Sequence, residues 1–188
     1  MKKLIAIGAF ALVMTTCSSP AIGDPGTSAV VHQQVERPAN LLKQAAEARV
    51  NLIRTAALTS NTKKVNTVIS QLKGRVHKTR YVFSGATPSG WDCSGLVMWA
   101  YEQLGVNLEH RASKQQSAGT KVKSPKAGDI VVFTYNGSKS AYHTGIYLGP
   151  DTMIHAGGGK GDSTSIVSIS KFAGKYSKVS YNRIIQTI

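Results

Sequence analysis

Cysteine is scarce in this chain: 188 residues hold only Cys17 and Cys93. Cys17 falls in an N-terminal stretch expected to be removed or acylated, which leaves Cys93 without a disulfide partner. A lone thiol points to chemistry rather than cross-linking. There is no close ligand pair such as Cys-x-x-Cys, so no metal is expected, although Cys93 with two histidines is a formal zinc set. Acidic residues are few, 9 Asp+Glu against 23 Lys+Arg, for a net charge of +14. Such basicity favours polyanions, with nucleic acid the usual first suspect. The interleaved aromatic and basic residues, zinc spacing and phosphate loop that would support nucleic acid are all missing. No internal repeat is present, and the only long uncharged apolar run, Leu4 to Met14, is too short to span a membrane as a helix.

That run follows Met1-Lys2-Lys3, a basic start before an apolar segment, and reads as a secretory signal over residues 1–23. Small residues in Ala21-Ile22-Gly23 place the expected cleavage before Asp24. The rival is a lipoprotein signal acylated at Cys17, for which Met14-Thr15-Thr16 is a poor lead-in. Either fate exports the protein to the periplasm, cell wall or surroundings, with no transmembrane segment in the mature chain. Losing Lys2 and Lys3 still leaves a charge of +12. Outside the membrane the anionic partners are wall polymers, lipid head groups and peptide carboxylates. A lysine-rich surface that merely keeps the protein soluble is an equally good reading.

Residues 24–64 are expected to hold a linker and a helical extension. Asp24 to Val35 lacks periodicity, whereas Leu41, Leu42, Ala45, Ala48, Leu52, Ile53 and Ala56 recur at helical spacing up to about Leu58. Docking of that helix on the domain is the favoured role. Thr59-Ser60-Asn61-Thr62 interrupts the pattern and is expected to cap a second helix bearing Val65, Val68, Ile69 and Leu72. Residues 65–188 form the expected catalytic domain. Ser94 to Leu104 reads as a buried helix. Strands are expected at Asp129–Phe133, His143–Leu148, Thr152–His155, Ser165–Ile169 and Val179–Ile184. Helices first and an antiparallel meander afterwards make an α+β domain.

Cys93 stands in Gly90-Trp91-Asp92-Cys93-Ser94-Gly95, a turn feeding an apolar helix. A helix N-terminus with a nearby imidazolium would favour the thiolate. Gly149-Pro150-Asp151 is a turn signal, with His143 six residues before Gly149 and His155 six after it. In a hairpin centred there the imidazoles are nearly opposite, one a base and the other fixing its tautomer and orientation. The expected attack is on an acyl carbon, with the Cys93 N–H in an oxyanion hole. Taken singly, Cys93 also reads as a small buried hydrophobe and each histidine as a satisfied polar residue. His32, His77 and His110 fall in linker or loop contexts and receive no role.

Six ordered blocks resemble the NlpC-type family of cell-wall cysteine peptidases. They are Tyr81 to Gly85, Gly90 to Val97, Arg111 to Gln116, Lys126 to Val131, His143 to Gly149 and Met153 to Ala156. The resemblance spans residues 65–185. It implies a papain-like α+β fold with the cysteine at a helix N-terminus packed on an antiparallel sheet. It also implies hydrolysis of peptidoglycan stem peptides between γ-D-glutamate and the following diamino acid, without cofactor. By the same resemblance Cys93 is the nucleophile, His143 the base, His155 the orienting residue and Tyr81 an oxyanion donor. Asp92 and Ser94 line the cleft, while Arg111 and Asp129 are structural. An amidase or acyl transferase on the same fold is the alternative within enzymes. A wall-binding protein with a vestigial site is the alternative outside them. The chain departs from the family pattern at Ser84, at Thr144 and at His110, where proline commonly precedes the arginine.

Overall fold

The structure, a computed structural model, describes residues 38–157 and 163–188. The expected signal segment, Cys17, His32 and the whole expected linker, Asp24 to Val35, lie outside the described residues. Helix α1 (Pro38–Lys73) is followed by a short hairpin, β1 (Ala86–Thr87) and β2 (Gly90–Trp91), then α2 (Cys93–Glu102) and α3 (Ala112–Gln115). Next come β3 (Thr120–Val122), β4 (Ile130–Tyr135), β5 (Ala141–Gly149), β6 (Thr152–Ala156), β7 (Thr164–Ser168), α4 (Ile169–Ala173) and β8 (Ser177–Arg183). The α+β arrangement is the expected one.

The six-stranded antiparallel sheet runs β3-β8-β4-β5-β6-β7. Strands β4 to β7 form the expected meander, but the last strand returns to pair with β4 on its other side. Alternation along the strands divides two cores. Ile130, Val132, Ile146, Ile154 and Ala156 pack with Leu96, Val97 and Ala100 of α2. Val131, Phe133 and Met153 pack on the opposite side with Ile169 and Ala173 of α4.

Helix α1 corrects the two-helix expectation. Its 36 residues run unbroken through the segment expected to interrupt it, a length of about 54 Å at 1.5 Å per residue. No glycine or proline follows Pro38 within it. The polar residues do not cap: Thr59 and Thr62 hydroxyls donate back to the Thr55 and Leu58 carbonyls at 2.9 and 2.8 Å. The docking expected of the Leu41–Ala56 segment is not found, and the helix enters the core through Val65, Val68, Ile69 and Leu72 of its second half. In the first half Leu41, Leu42, Leu52 and Ile53 are exposed. Among the described residues no helix is long and apolar enough to cross a membrane.

Candidate active site

Asp92 sets the geometry of the thiol. It is the N-cap of α2, in extended backbone, and its Oδ1 accepts from the Gly95 N–H at 2.7 Å and the Ser94 hydroxyl at 2.9 Å. The same oxygen takes His110 Nε2 at 2.9 Å, while Oδ2 takes the Ser84 N–H at 3.1 Å. This cap fixes Cys93 as the first residue of the helix. Glycine at 95 is required by close approach, since a Cβ there would lie 2.0 Å from the Gly85 carbonyl oxygen. Tyr81, Asp92, Cys93, Ser94, His110 and Arg111 line part of one open cleft of about 410 Å³.

The two imidazoles meet: His143 Nε2 lies 2.9 Å from His155 Nδ1. They are diagonal rather than opposite. Ile146 pairs with Ile154, so the same register sets His155 across from Gly145, two residues along from His143. The reason is that the turn is centred on Pro150-Asp151, with Gly149 paired to Thr152, rather than on Gly149, and the irregularity between Tyr147 and Gly149 then returns both histidines to one face. Diagonal neighbours on one face remain within reach. Gly145 leaves room for the crossing, because a Cβ there would stand 3.2 Å from His155 Cβ. His155 Nε2 contacts the Ser165 hydroxyl at 3.2 Å. Phe172 of α4 covers both rings, with centroids 4.7 Å from His143 and 4.9 Å from His155. The histidines are only 8% and 3% exposed.

Gln115, a buried residue of α3, ties the two sides together. Its Nε2 donates to the Ser94 carbonyl at 2.8 Å and to the Glu109 carbonyl at 3.0 Å. Its Oε1 accepts from the Thr144 hydroxyl at 2.9 Å. One amide therefore spans from the residue after Cys93 to the residue after His143. The Thr144 backbone N–H in turn donates to the Cys93 sulfur.

Electrostatics correct one expectation. Burial pushes the Cys93 thiol up rather than down, and Asp92 adds to it. The N–H groups of Thr144, Ser94 and Cys93 offset only part of this rise. Burial also lowers His143 to about 3, helped by His155 and opposed by Asp92, and burial lowers His155 to about 4. At neutral pH these shifts leave the thiol and both imidazoles uncharged. Asp92 stays ionised: burial opposes it, yet the Gly95 N–H, His110 and Ser94 together hold its carboxyl below the ordinary value.

Arg111 has an exposed side chain, and its carbonyl accepts from the Lys114 and Gln115 N–H groups at the start of α3, both at 3.0 Å. Asp129 is paired with Arg183, whose Nη2 lies 2.7 Å away, so its structural reading stands. Gln115, Ser165 and Phe172 were not picked out from sequence. Gln115 lies in a quoted block, but its partners are 21 and 29 residues distant. Among the described residues, no group of three or more His, Cys, Asp or Glu side chains is placed to hold a metal ion.

A cysteine opening a helix packed on an antiparallel sheet, with a histidine pair on that sheet, defines a papain-like α+β fold. The chain belongs to the NlpC/P60 family, which it matches over residues 78–186. It is 48% identical over 75 residues to a probable endopeptidase of Corynebacterium glutamicum, covering 38% of this chain and 34% of that protein. It is 44% identical over 80 residues to the gamma-DL-glutamyl hydrolase of Bacillus subtilis, covering 40% of this chain and 19% of that one. The matches thus span about a fifth to a third of these curated relatives. The crystal structure of the NlpC/p60 domain of peptidoglycan hydrolase SagA is similar at a TM-score of 0.54 and 32% identity, covering 63% of this chain and 98% of that one.

Proposed function

We propose that this chain is an exported peptidoglycan endopeptidase that hydrolyses stem-peptide amide bonds, at γ-D-glutamyl–diamino acid junctions, by thiol catalysis. The observation that carries the mechanism is the 2.9 Å contact between His143 Nε2 and His155 Nδ1, in a chain whose Cys93 opens a helix. With His143 Nε2 engaged by His155, its Nδ1 is the nitrogen left for the thiol. For Nδ1 to accept a proton, Nε2 must carry one and donate it to His155 Nδ1. His155 then carries its proton on Nε2 and donates to the Ser165 hydroxyl. The relay has one consistent set of tautomers.

As the Cys93 sulfur attacks the carbonyl carbon, its proton passes to His143 Nδ1. The Cys93 N–H and the Tyr81 hydroxyl receive the oxyanion. His143 returns the proton to the departing amine, leaving a thioester that water hydrolyses with His143 again as base. The His155 lone pair and the Asp92 charge stabilise the transient imidazolium. The catalytic side chains are Cys93, His143 and His155; Tyr81, Asp92 and Ser94 shape the cleft. The mechanism calls on no cofactor. The names of the endopeptidase and glutamyl hydrolase relatives support the bond assignment, and the basic surface suits anionic wall polymers rather than nucleic acid.

Mass spectrometry of fragments released from purified peptidoglycan tests this. Cleavage after glutamate by the wild-type chain, absent with Cys93→Ala, is the expected result. Whole stem peptides freed from muramic acid would instead make it an amidase. No release from a chain that still binds the wall would make it a binding protein.

A further inference from the structure

Two apolar stripes run along α1, and they face opposite ways. In the second half Val65, Val68, Ile69 and Leu72 are buried in the core. In the first half Leu41, Ala45, Ala48 and Leu52 recur at spacings of four, three and four residues, with Leu42, Ile53 and Ala56 beside them. Residues 39–57 are exposed without exception, and Leu41, Leu42, Leu52 and Ile53 are each at least 65% exposed. An α-helix turns about 100° per residue. Leu72 comes 20 residues after Leu52, which sets the buried stripe about 200° round the axis from the exposed one. The helix is continuous between them. A body lying against the exposed stripe therefore meets it on the side away from the domain.

Charge says what kind of body fits. Helix α1 carries Lys43, Arg49, Arg54, Lys63, Lys64 and Lys73 against one acidic residue, Glu47. Lys63 comes 11 residues after Leu52, about three turns, and so continues the exposed face past its apolar end. A second copy would bring two such basic helices together. The stripe from Leu41 to Ala56 also spans only about two heptads, short of the three or four that mark a coiled coil. A soluble polyanion would satisfy the lysines and leave the leucines in water. An anionic lipid surface takes both, with leucines at the acyl boundary and basic side chains on headgroup phosphates. Arg49, among the leucines, reaches those phosphates by extending its long stem. We propose that the first half of α1 is a membrane-surface helix, which lies along anionic lipid by its leucine stripe and holds the domain on its far side. This reading is independent of the bond that the cleft cuts.

Vesicle flotation tests this, with phosphatidylcholine alone and with equimolar phosphatidylcholine and phosphatidylglycerol. The protein is the chain from Asp24, which keeps every described residue and omits the apolar run Leu4 to Met14, itself able to enter lipid. Binding to the anionic vesicles should exceed that to phosphatidylcholine by at least about tenfold, given about fivefold per basic residue at such a surface. Leu41→Gln combined with Leu52→Gln should lower it by about tenfold or more. Arg49→Glu combined with Arg54→Glu should lower the preference for anionic lipid at least several-fold. These positions are exposed, so both variants should keep the wild-type thermal midpoint. No binding to either vesicle, full binding by the leucine variant, or a preference unchanged by charge reversal would overturn the proposal. So would a lowered midpoint in the leucine variant, which would mean that the stripe packs on its own domain. A dimer in ultracentrifugation that the leucine variant dissolves, without vesicle binding, would overturn it in favour of a second copy.

Discussion

The Cys93 side of the site is held by short polar contacts, whereas the His143 side is held by apolar burial. On the first, one carboxylate gathers four donors and fixes a helix end. On the second, Phe172 and Phe133 close over two imidazoles whose nitrogens, among the described residues, pair with each other and with Ser165. Polar capping gives direction and carries an ionised carboxylate near the thiol, which disfavours a thiolate. Apolar burial keeps the imidazoles neutral and hence able to accept a proton. Neither the thiol nor the imidazoles are charged at rest. Under the proposed mechanism, the comparison implies that the proton transfer waits for the moment of attack.

The most drastic break removes either reacting group. Cys93→Ala or His143→Ala should lower peptide release by at least about 1000-fold, the scale of losing a triad member. Measured turnover on peptidoglycan fragments checks this. His155→Ala should cost less, roughly 10- to 100-fold in kcat, since it positions and stabilises rather than reacts. Equal losses for His143→Ala and His155→Ala would erase the distinction between base and orienting residue.

The polar side can be broken separately. Asp92→Ala removes a cap and strands several donors, so stability should fall by about 2–4 kcal/mol, read as a lowered denaturant midpoint. The apolar side should show itself in the pH dependence of stability. Unfolded imidazoles take up protons below about pH 6.5, whereas folded His143 and His155 do so only near 3 and 4. The unfolded state therefore binds more protons between those limits. Stability from this pair is fully present above about pH 6.5 and is lost as pH falls, by up to about 1.4 kcal/mol per unit for each histidine. Denaturant titrations from pH 8 to 4 read the slope, and His155→Ala should flatten it.

The smallest effect falls on the link between the halves. Thr144→Val removes the hydroxyl donated to Gln115, and should cost about 1 kcal/mol with kcat reduced more than KM is changed. An unchanged kcat would show that Gln115 holds the fold without tuning the distance between sulfur and imidazole.

The parts of this site legible from sequence were those written in local signals. The lone cysteine, the turn feeding an apolar helix, and two histidines flanking Gly149-Pro150-Asp151 are all short-range features. What escaped depended on distant or ambiguous groups. The register of the histidines turned on one irregular step at the turn. Gln115 became a bridge only when α3, α2 and β5 came together. Phe172 sits on a five-residue helix with no periodicity to announce it. The polar run at Thr59 to Thr62 looked like a helix stop, since hydroxyls that cap and hydroxyls that bond backward share one composition. Strand β8 was foreseen as a strand, but its return to β4 is a tertiary choice.

The pH dependence of Cys93 alkylation by iodoacetamide tests the central claim most directly. A neutral thiol raised by burial predicts a rate that is low through neutrality and climbs into the alkaline range, in the wild type and in His143→Ala alike. A rate that is already high and level from pH 5 to 8, and that collapses in His143→Ala, would mean a standing thiolate–imidazolium pair and contradict the account.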